Sequence, residues 1–202
     1  RLFTIFDDEW RTRGPQVRSF LAAQLGRFDR RVGARQCRIE DDIDWSVLRD
    51  WHIQGSPKHV SHAFGLILDD ETVGAVTFGP HHRGSGELVL NRLAFRPGTQ
   101  VVGGASRLIR HAASVLRQPI VTWSDNRWST GEIYGRSGFV LDAELGPDYS
   151  YTDGTSRRSK QSCRKRVTGC PPEVTEREFM AQQGWHRIWD CGKRRWRWNE
   201  AR

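Results

Sequence analysis

The stretch Gln100-Val101-Val102-Gly103-Gly104-Ala105-Ser106 decides how the rest of this 202-residue chain is read. It follows a strand-like run from Glu87 to Phe95 and precedes a segment in which Leu108, Ile109, Ala112, Val115 and Leu116 fall on one helical stripe. A strand that enters a paired-glycine loop and leaves as a helix can cradle phosphate. Glycines let the backbone approach the ligand, and the unpaired N–H groups of the first helical turn point at the anion. A tight loop before an ordinary helix has the same local pattern, so the flanking elements carry the decision.

Upstream, Ala63–Leu68 and Thr72–Phe78 are β-rich runs joined by Asp69-Asp70-Glu71, the pattern of a hairpin. Before them, Arg35–Ile39 reads as a strand and Asp44–Trp51 as a short helix leading into the loop His52–Lys58. Downstream, Pro119–Ser124 is a strand, Asp125–Ser129 a turn, Thr130–Gly135 a short helix closed by Gly138, and Phe139–Leu141 a last strand. This order implies an α/β (α+β) fold, a mixed central sheet flanked by helices, over residues 37–150. Residues 1–36 read as an extension: a strand at Leu2–Phe6, an acidic turn at Asp7–Trp10, and a helix from Pro15 to Gly26. In residues 151–202, Pro171-Pro172 break the chain and Thr175 with Glu178 signals a capped helix. His186–Trp198 reads as a two-stranded β-hairpin turning at Cys191-Gly192. The first residue is Arg1, which suggests a processed chain or a fragment.

The formal charge of +8 is unevenly distributed. Residues 1–36 carry net +4, residues 37–150 net −3, and residues 151–202 net +7. A mildly acidic middle with basic flanks points to a polyanion gripped by the flanks, and DNA ahead of RNA. The candidate contacts are Arg157, Arg158, Lys160, Arg164, Lys165 and Arg166, with Lys193, Arg194, Arg195 and Arg197 on the last hairpin. Among these, Trp185, Trp189, Trp196 and Trp198 could stack on unpaired bases or pack a small core. Deleting residues 151–202 is then expected to abolish nucleic-acid binding and spare the cradle. Four cysteines are too few for a disulfide scaffold, and Cys163, Cys170, His186 and Cys191 lack the close spacing of a zinc knuckle, so no metal is expected. With no apolar run of about 20 residues and no secretory signal, the expected setting is cytoplasmic and away from a membrane. Oligomeric state is open.

Gln100, Gly103 and Ala105 resemble the pyrophosphate loop of the GNAT (Gcn5-related N-acetyltransferase) superfamily. Tyr134, Gly138 and Phe139 resemble that family's Tyr-x-x-x-Gly-Phe segment, about thirty residues on. A narrower resemblance, through Arg92, Val102–Arg107, Trp123–Gly131 and Tyr134, is to the phage-encoded Mom branch, which modifies adenine in DNA. The chain is also similar to GNAT-like domains fused behind Vsr-like or homing-type endonucleases, whose likeness extends to His52–Gly55 and Arg187–Gly192. In such fusions Leu2–Trp10 and the following helix would end the nuclease, although Asp7, Asp8 and Glu9 form no nuclease site.

The resemblance implies acetyl-CoA or a related acyl-CoA as cofactor, with its pyrophosphate on the amides of Val102, Gly103, Gly104, Ala105 and Ser106 and with Arg107 as countercharge. It implies Tyr134 as proton donor to the departing thiolate. Asp125, at a strand's C-terminal end where ligands gather, could bind or deprotonate a base amine. His52 could serve as a base with a near-neutral pKa, or could simply hydrogen-bond within its loop. Arg92 would need a carboxylate or a phosphate as partner, Asp125 being the nearest guess. Many family members place a carboxylate base on the central strand, where this chain has only Glu87 at the start. Three functions follow: a Mom-like acyltransferase on a DNA base amine, a non-catalytic nucleic-acid-binding module of a phage or mobile-element nuclease, or an N-acetyltransferase for a small-molecule or protein amine.

Overall fold

Side chains that alternate along two adjacent strands separate the faces of the main sheet. The structure is a computed structural model and describes residues 2–82 and 84–198. In chain order its elements are α1 (Asp7–Gln24), β1 (Arg30–Gly33), β2 (Arg38–Asp41), α2 (Leu48–Trp51), β3 (His62–Leu68), β4 (Glu71–Pro80), β5 (Leu88–Phe95) and β6 (Thr99–Val102). Then come α3 (Gly104–Leu116), β7 (Ile120–Asp125), α4 (Glu132–Ser137), β8 (Phe139–Leu145), β9 (Tyr149–Thr152) and β10 (Arg157–Ser159). The last are α5 (Lys165–Thr168), α6 (Glu176–Gln182), β11 (His186–Trp189) and β12 (Lys193–Trp198).

From the β3–β4 hairpin, Phe64, Leu66, Val76 and Phe78 enter one core, which Leu108, Ile109, Ala112 and Ala113 of α3 complete. Ala63, Ala75 and Ala94 enter a second core with Ile43 and Leu48, under the short helical turns of residues 45–51. Small residues on this second face leave room for a close helical layer. The central sheet therefore has helices on both sides, as the sequence pattern implies.

The sheet runs β2-β3-β4-β5-β7-β12-β8. All neighbours are antiparallel except β5 and β7, which run parallel and pair only at Leu88↔Ile120 and Val89↔Val121. Beyond these two pairs the strands diverge towards Phe95 and Asp125. On β5 the register to β4 slips, so that Thr77 faces Arg92 while Phe78 faces Leu90, and Asn91 is bulged out. Bulges of this kind redirect the next side chain, here Arg92.

Several expectations are corrected. Leu2–Phe6 form no strand, and Asp7, Asp8 and Glu9 make the first turn of α1, where carboxylates suit the positive end of the helix. That helix bends at Arg13 (φ −137°, ψ 29°), just before Pro15, whose ring cannot continue a regular helix. Part of the expected loop after Phe95 is strand β6, paired in parallel with β1; the expected strand at Arg35 starts only at Arg38, after a 3-10 turn.

The largest correction concerns the C-terminal segment. His186–Trp198 is not a hairpin: β11 joins β9 and β10 in a separate sheet, while β12 inserts between β7 and β8. The cause lies in Trp196, which is buried in the main core with Phe139 rather than in an accessory cluster. At the other end of the chain, Val32 and Ala34 belong to the same core. Boundaries drawn on charge at residues 36 and 150 therefore do not separate packing units. Residues 149–189 do carry a small core of their own, with Tyr151, Cys163, Met180 and Trp185 buried. There α6 starts with the reciprocal Thr175–Glu178 cap expected from the sequence.

Candidate functional site

Where β5 and β7 part, a cavity of about 1260 Å³ opens. Its walls include Leu93–Phe95 from β5, Trp123–Asp125 from β7, and Arg18–Gln24 positions of α1. Its lining also includes Gln100, Gly103, Gly104, Ala105 and Ser106, and with them His52, Asp125 and Tyr134. Segments that range from Arg18 to Tyr134 in the sequence thus meet in one opening.

The glycine loop is built for close approach. Gly103 caps α3 in a left-handed conformation (φ 78°), which glycine adopts without strain. A Cβ on Gly104 would lie 2.6 Å from the Phe95 ring and 3.0 Å from Val101, so only glycine lets the helix begin against them. Among the described residues, the amides of Gly104, Ala105 and Ser106 have no acceptor. Ser106 Oγ lies 3.1 Å from Ser137 Oγ, which ties α3 to α4. Arg107 faces elsewhere: its guanidinium donates to the Ala34 carbonyl and, at 2.6 Å, to that of Cys37. It is a brace for the turn before β2 rather than a countercharge in the cavity. Val102 is exposed and lies outside the cavity lining.

Beside α3, α4 begins at Gly131 (φ 78°), where any side chain would strike the Trp196 ring at about 2.5 Å. This contact sets Tyr134 between Phe139 and Trp196. Burial pushes the Tyr134 phenol above its ordinary pKa, opposed by a hydrogen bond with Thr122 and by the Arg92 charge. It therefore carries its proton at neutral pH.

His52 does not fit the role of base. Its Nδ1 accepts the Gln54 amide at 3.0 Å, which leaves the proton of the neutral ring on Nε2. Burial, then the charges of Arg92 and Arg13, press its pKa down to about 3. The imidazole is neutral, and its ring is part of the cavity lining.

Arg92 and Asp125 do not pair. Arg92 donates Nε to the Gly55 carbonyl (2.9 Å) and Nη1 to the Asn91 carbonyl (2.7 Å), behind the cavity wall. Burial, followed by Arg13, lowers its pKa. Asp125 instead holds Arg127 at 3.1 Å, and Arg127 also reaches Glu9 at 2.9 Å. That guanidinium is 7% exposed and lies against the Phe6 and Trp128 rings. Sequence reasoning missed Arg127, Glu9 and Trp196. Only Trp196 left a signal, the Trp196-Arg197-Trp198 alternation of a strand with one face buried.

The basic candidates are largely neutralised within the molecule. Arg157 pairs with Asp8 (2.6 Å) and Glu9, Lys160 with Asp148, Lys193 with Asp190, and Arg194 with Glu144. Arg195 and Arg197 both reach Glu87 and Asp142. Arg158 stacks 4.0 Å above Trp185, and Lys165 donates to the Pro172 carbonyl. Among the described residues, Arg164 and Arg166 enter no ion pair. Trp185 and Trp196 are buried and unavailable for base stacking, whereas Trp189 is exposed. No group of three His, Cys, Asp or Glu side chains among the described residues is placed to hold a metal ion, and no helix is long and apolar enough to cross a membrane.

The fold and cavity define a mixed α/β protein with a glycine-loop cradle opening into the sheet. The chain matches no family model and no curated protein. Solved structures do align with it. A Bacillus subtilis acetyltransferase in complex with CoA matches at 13% identity and TM-score 0.48, over 81% of this chain and 98% of its own. A GNAT family acetyltransferase from Elizabethkingia anophelis with acetyl-CoA bound matches at 14% identity and TM-score 0.45, over 81% and 98%. A protein from Desulfovibrio desulfuricans assigned to the GNAT family matches at 23% identity and TM-score 0.38, over 42% of this chain and 58% of that protein's length.

Proposed function

We propose that this chain is a GNAT-type acyltransferase that uses acetyl-CoA or a related acyl-CoA to acylate an amine. The observation that carries the reading is one cavity running from the free amides of Gly104, Ala105 and Ser106 to the protonated phenol of Tyr134. The residues fit such a cofactor: the amides would hold its pyrophosphate, and Gly103 and Gly104 leave the approach clear. Bound there, an acyl-CoA would supply an acyl carbon activated as its thioester, open to attack by an amine with departure of sulfur as thiolate. Tyr134 holds a proton at Oη for that sulfur, a general-acid role. His52 offers an Nε2–H to orient the acceptor. Asp125 is occupied by Arg127, so the amine loses its proton to water or to Asp29, the other carboxylate of the cavity lining, or arrives uncharged.

The test pairs two measurements: the melting temperature with acetyl-CoA, and thiol release from acetyl-CoA with an amine panel. A rise in melting temperature with turnover on some amine supports the reading. No rise at millimolar ligand removes it.

A second reading keeps the acceptor on nucleic acid, as a Mom-like modification of a DNA base amine or a binding module of an endonuclease. Arg164 and Arg166, outside any ion pair, favour it, with Arg158 and Lys165 beside them. Binding through them would be salt-dependent and indifferent to sequence. A gel shift with single- and double-stranded DNA that survives R164E/R166E, or never appears, counts against it.

A further inference from the structure

Two guanidinium groups grip one loop from different elements, and neither has a carboxylate partner among the described residues. Arg13, at the bend of α1, donates Nη1 to the Ile53 carbonyl at 3.0 Å. Arg92, next to the Asn91 bulge, donates Nε to the Gly55 carbonyl at 2.9 Å. The loop they hold, His52-Ile53-Gln54, lines the same cavity as the glycine loop. Arg18, also outside any ion pair, lines the same cavity from α1 and packs over the Trp10 ring. Two carboxylates share this wall. Asp125 is neutralised by Arg127, and Asp29 sits beside Gly98 on the way to the cradle.

Arg127, Arg157, Arg187 and Arg195 each have a counter-ion, whereas Arg13 and Arg92, like the carbonyl-bound Arg107, have none among the described residues. Leaving Arg13 and Arg92 without one stores positive potential beside the His52 ring, which lines the cavity. A cation placed there would be repelled, and an anion would be attracted and hydrogen-bonded.

We propose that the acyl acceptor carries an oxyanion, a carboxylate or a phosphate, which docks on the His52–Gln54 loop under the charges of Arg13 and Arg92. This deepens the acyltransferase reading and rests on it. It also needs no help from Asp125, the carboxylate at the end of β7, which Arg127 holds. An amine anchored beside two cations loses its own proton more readily, and so reaches the acyl group as a neutral nucleophile. Arg13 and Arg92 act through the loop and are positioning residues.

The test titrates inorganic phosphate, acetate and methylamine into protein saturated with CoA, so that the cradle is filled, and follows the heat of binding. Saturable binding of phosphate or acetate is expected, with none for methylamine. R92Q and R13Q should weaken anion binding about tenfold or more, while R92K, which keeps the charge, should retain it. The proposal is overturned if anions do not bind saturably, if R92Q and R13Q bind them as the parent does, if R92K fails as badly as R92Q, or if methylamine binds in preference. Circular dichroism and melting temperature confirm that each variant is folded. Failure of CoA itself to bind would remove the acyltransferase reading alone, because the same titration in CoA-free protein still compares R92Q with the parent. A short oligodeoxynucleotide that displaces phosphate would place the oxyanion on a nucleic-acid backbone; one that does not would place it on a small acceptor.

Discussion

The indole N–H of Trp196 donates to Ser124 Oγ at 3.0 Å, joining the last strand of the chain to the strand that forms the cavity wall. The same ring closes against Gly131 at the start of α4, so Trp196 positions both Ser124 and the helix that carries Tyr134. Removing the C-terminal residues therefore removes a central strand, not a detachable basic arm. W196F should cost about 1 kcal/mol, because Ser124 Oγ loses its buried partner. W196A should cost about 3–5 kcal/mol through the cavity it leaves. Urea unfolding checks both values, and a truncation before Lys193 should yield no cooperative transition. A soluble, cooperatively folding truncated chain would contradict the role given to β12.

Gly104 is the point at which the cradle can be closed without touching the acceptor end. Its added methyl in G104A meets the Phe95 ring at 2.6 Å, and Phe95 itself lines the cavity. We expect G104A to fold with a loss of about 1–3 kcal/mol from overpacking, and to lose most of the melting-temperature rise given by acetyl-CoA. An undiminished rise would mean that the ligand binds away from the glycine loop.

Much of the central domain was legible in the sequence, because alternation along β3 and β4 and the 3.6-residue stripe of α3 are local patterns. The cradle was legible for the same reason: Gly103 and Gly104 advertise a backbone that something must approach. Pairings that depend on distant segments were not. Nothing local distinguishes Trp196 as a central-sheet residue from Trp196 as half of a hairpin, since both demand the same alternation. Charges misled in a related way. Arg157 and Arg195 look like free cations in a basic tail, yet their partners Asp8 and Glu87 lie far away in sequence and close in space.

Tyr134 carries its proton at neutral pH, and its phenol lines the cavity. Y134F keeps the ring between Phe139 and Trp196 and removes only the hydroxyl. If the phenol protonates the departing sulfur, kcat should fall about 100-fold or more while acetyl-CoA binding is unchanged. Equal kcat in the two proteins would assign the ring to packing alone.

Arg127 is the most enclosed ion-pairing side chain in this region, held between Asp125 and Glu9. R127M leaves Asp125 without a counter-ion and Glu9 with Arg157 alone, and should cost about 3–5 kcal/mol. Adding E9Q and D125N to R127M should recover part of that loss, because no unpaired charge then remains. A double-mutant cycle in denaturant measures the coupling, and strict additivity would mean that the three groups do not act as a unit.

The His52 ring supplies a pH signature that no surface group can imitate. In the folded protein it takes up a proton only near pH 3, against about 6.5 for an unfolded histidine. Between those limits the unfolded chain binds the extra proton, so stability contributed by His52 is complete above about pH 6.5 and is lost as the pH falls towards 3. The slope is at most about 1.4 kcal/mol per pH unit. Carboxylates elsewhere also titrate in the lower part of this window, so the readout is the difference between the parent and H52Q in urea unfolding across it. H52Q should be less steep on the acid side by that increment, and the parent's pH–rate profile should show no limb near 6.5. Parallel stability curves for parent and H52Q would mean that the imidazole is accessible and ordinary, and would return it to consideration as a base.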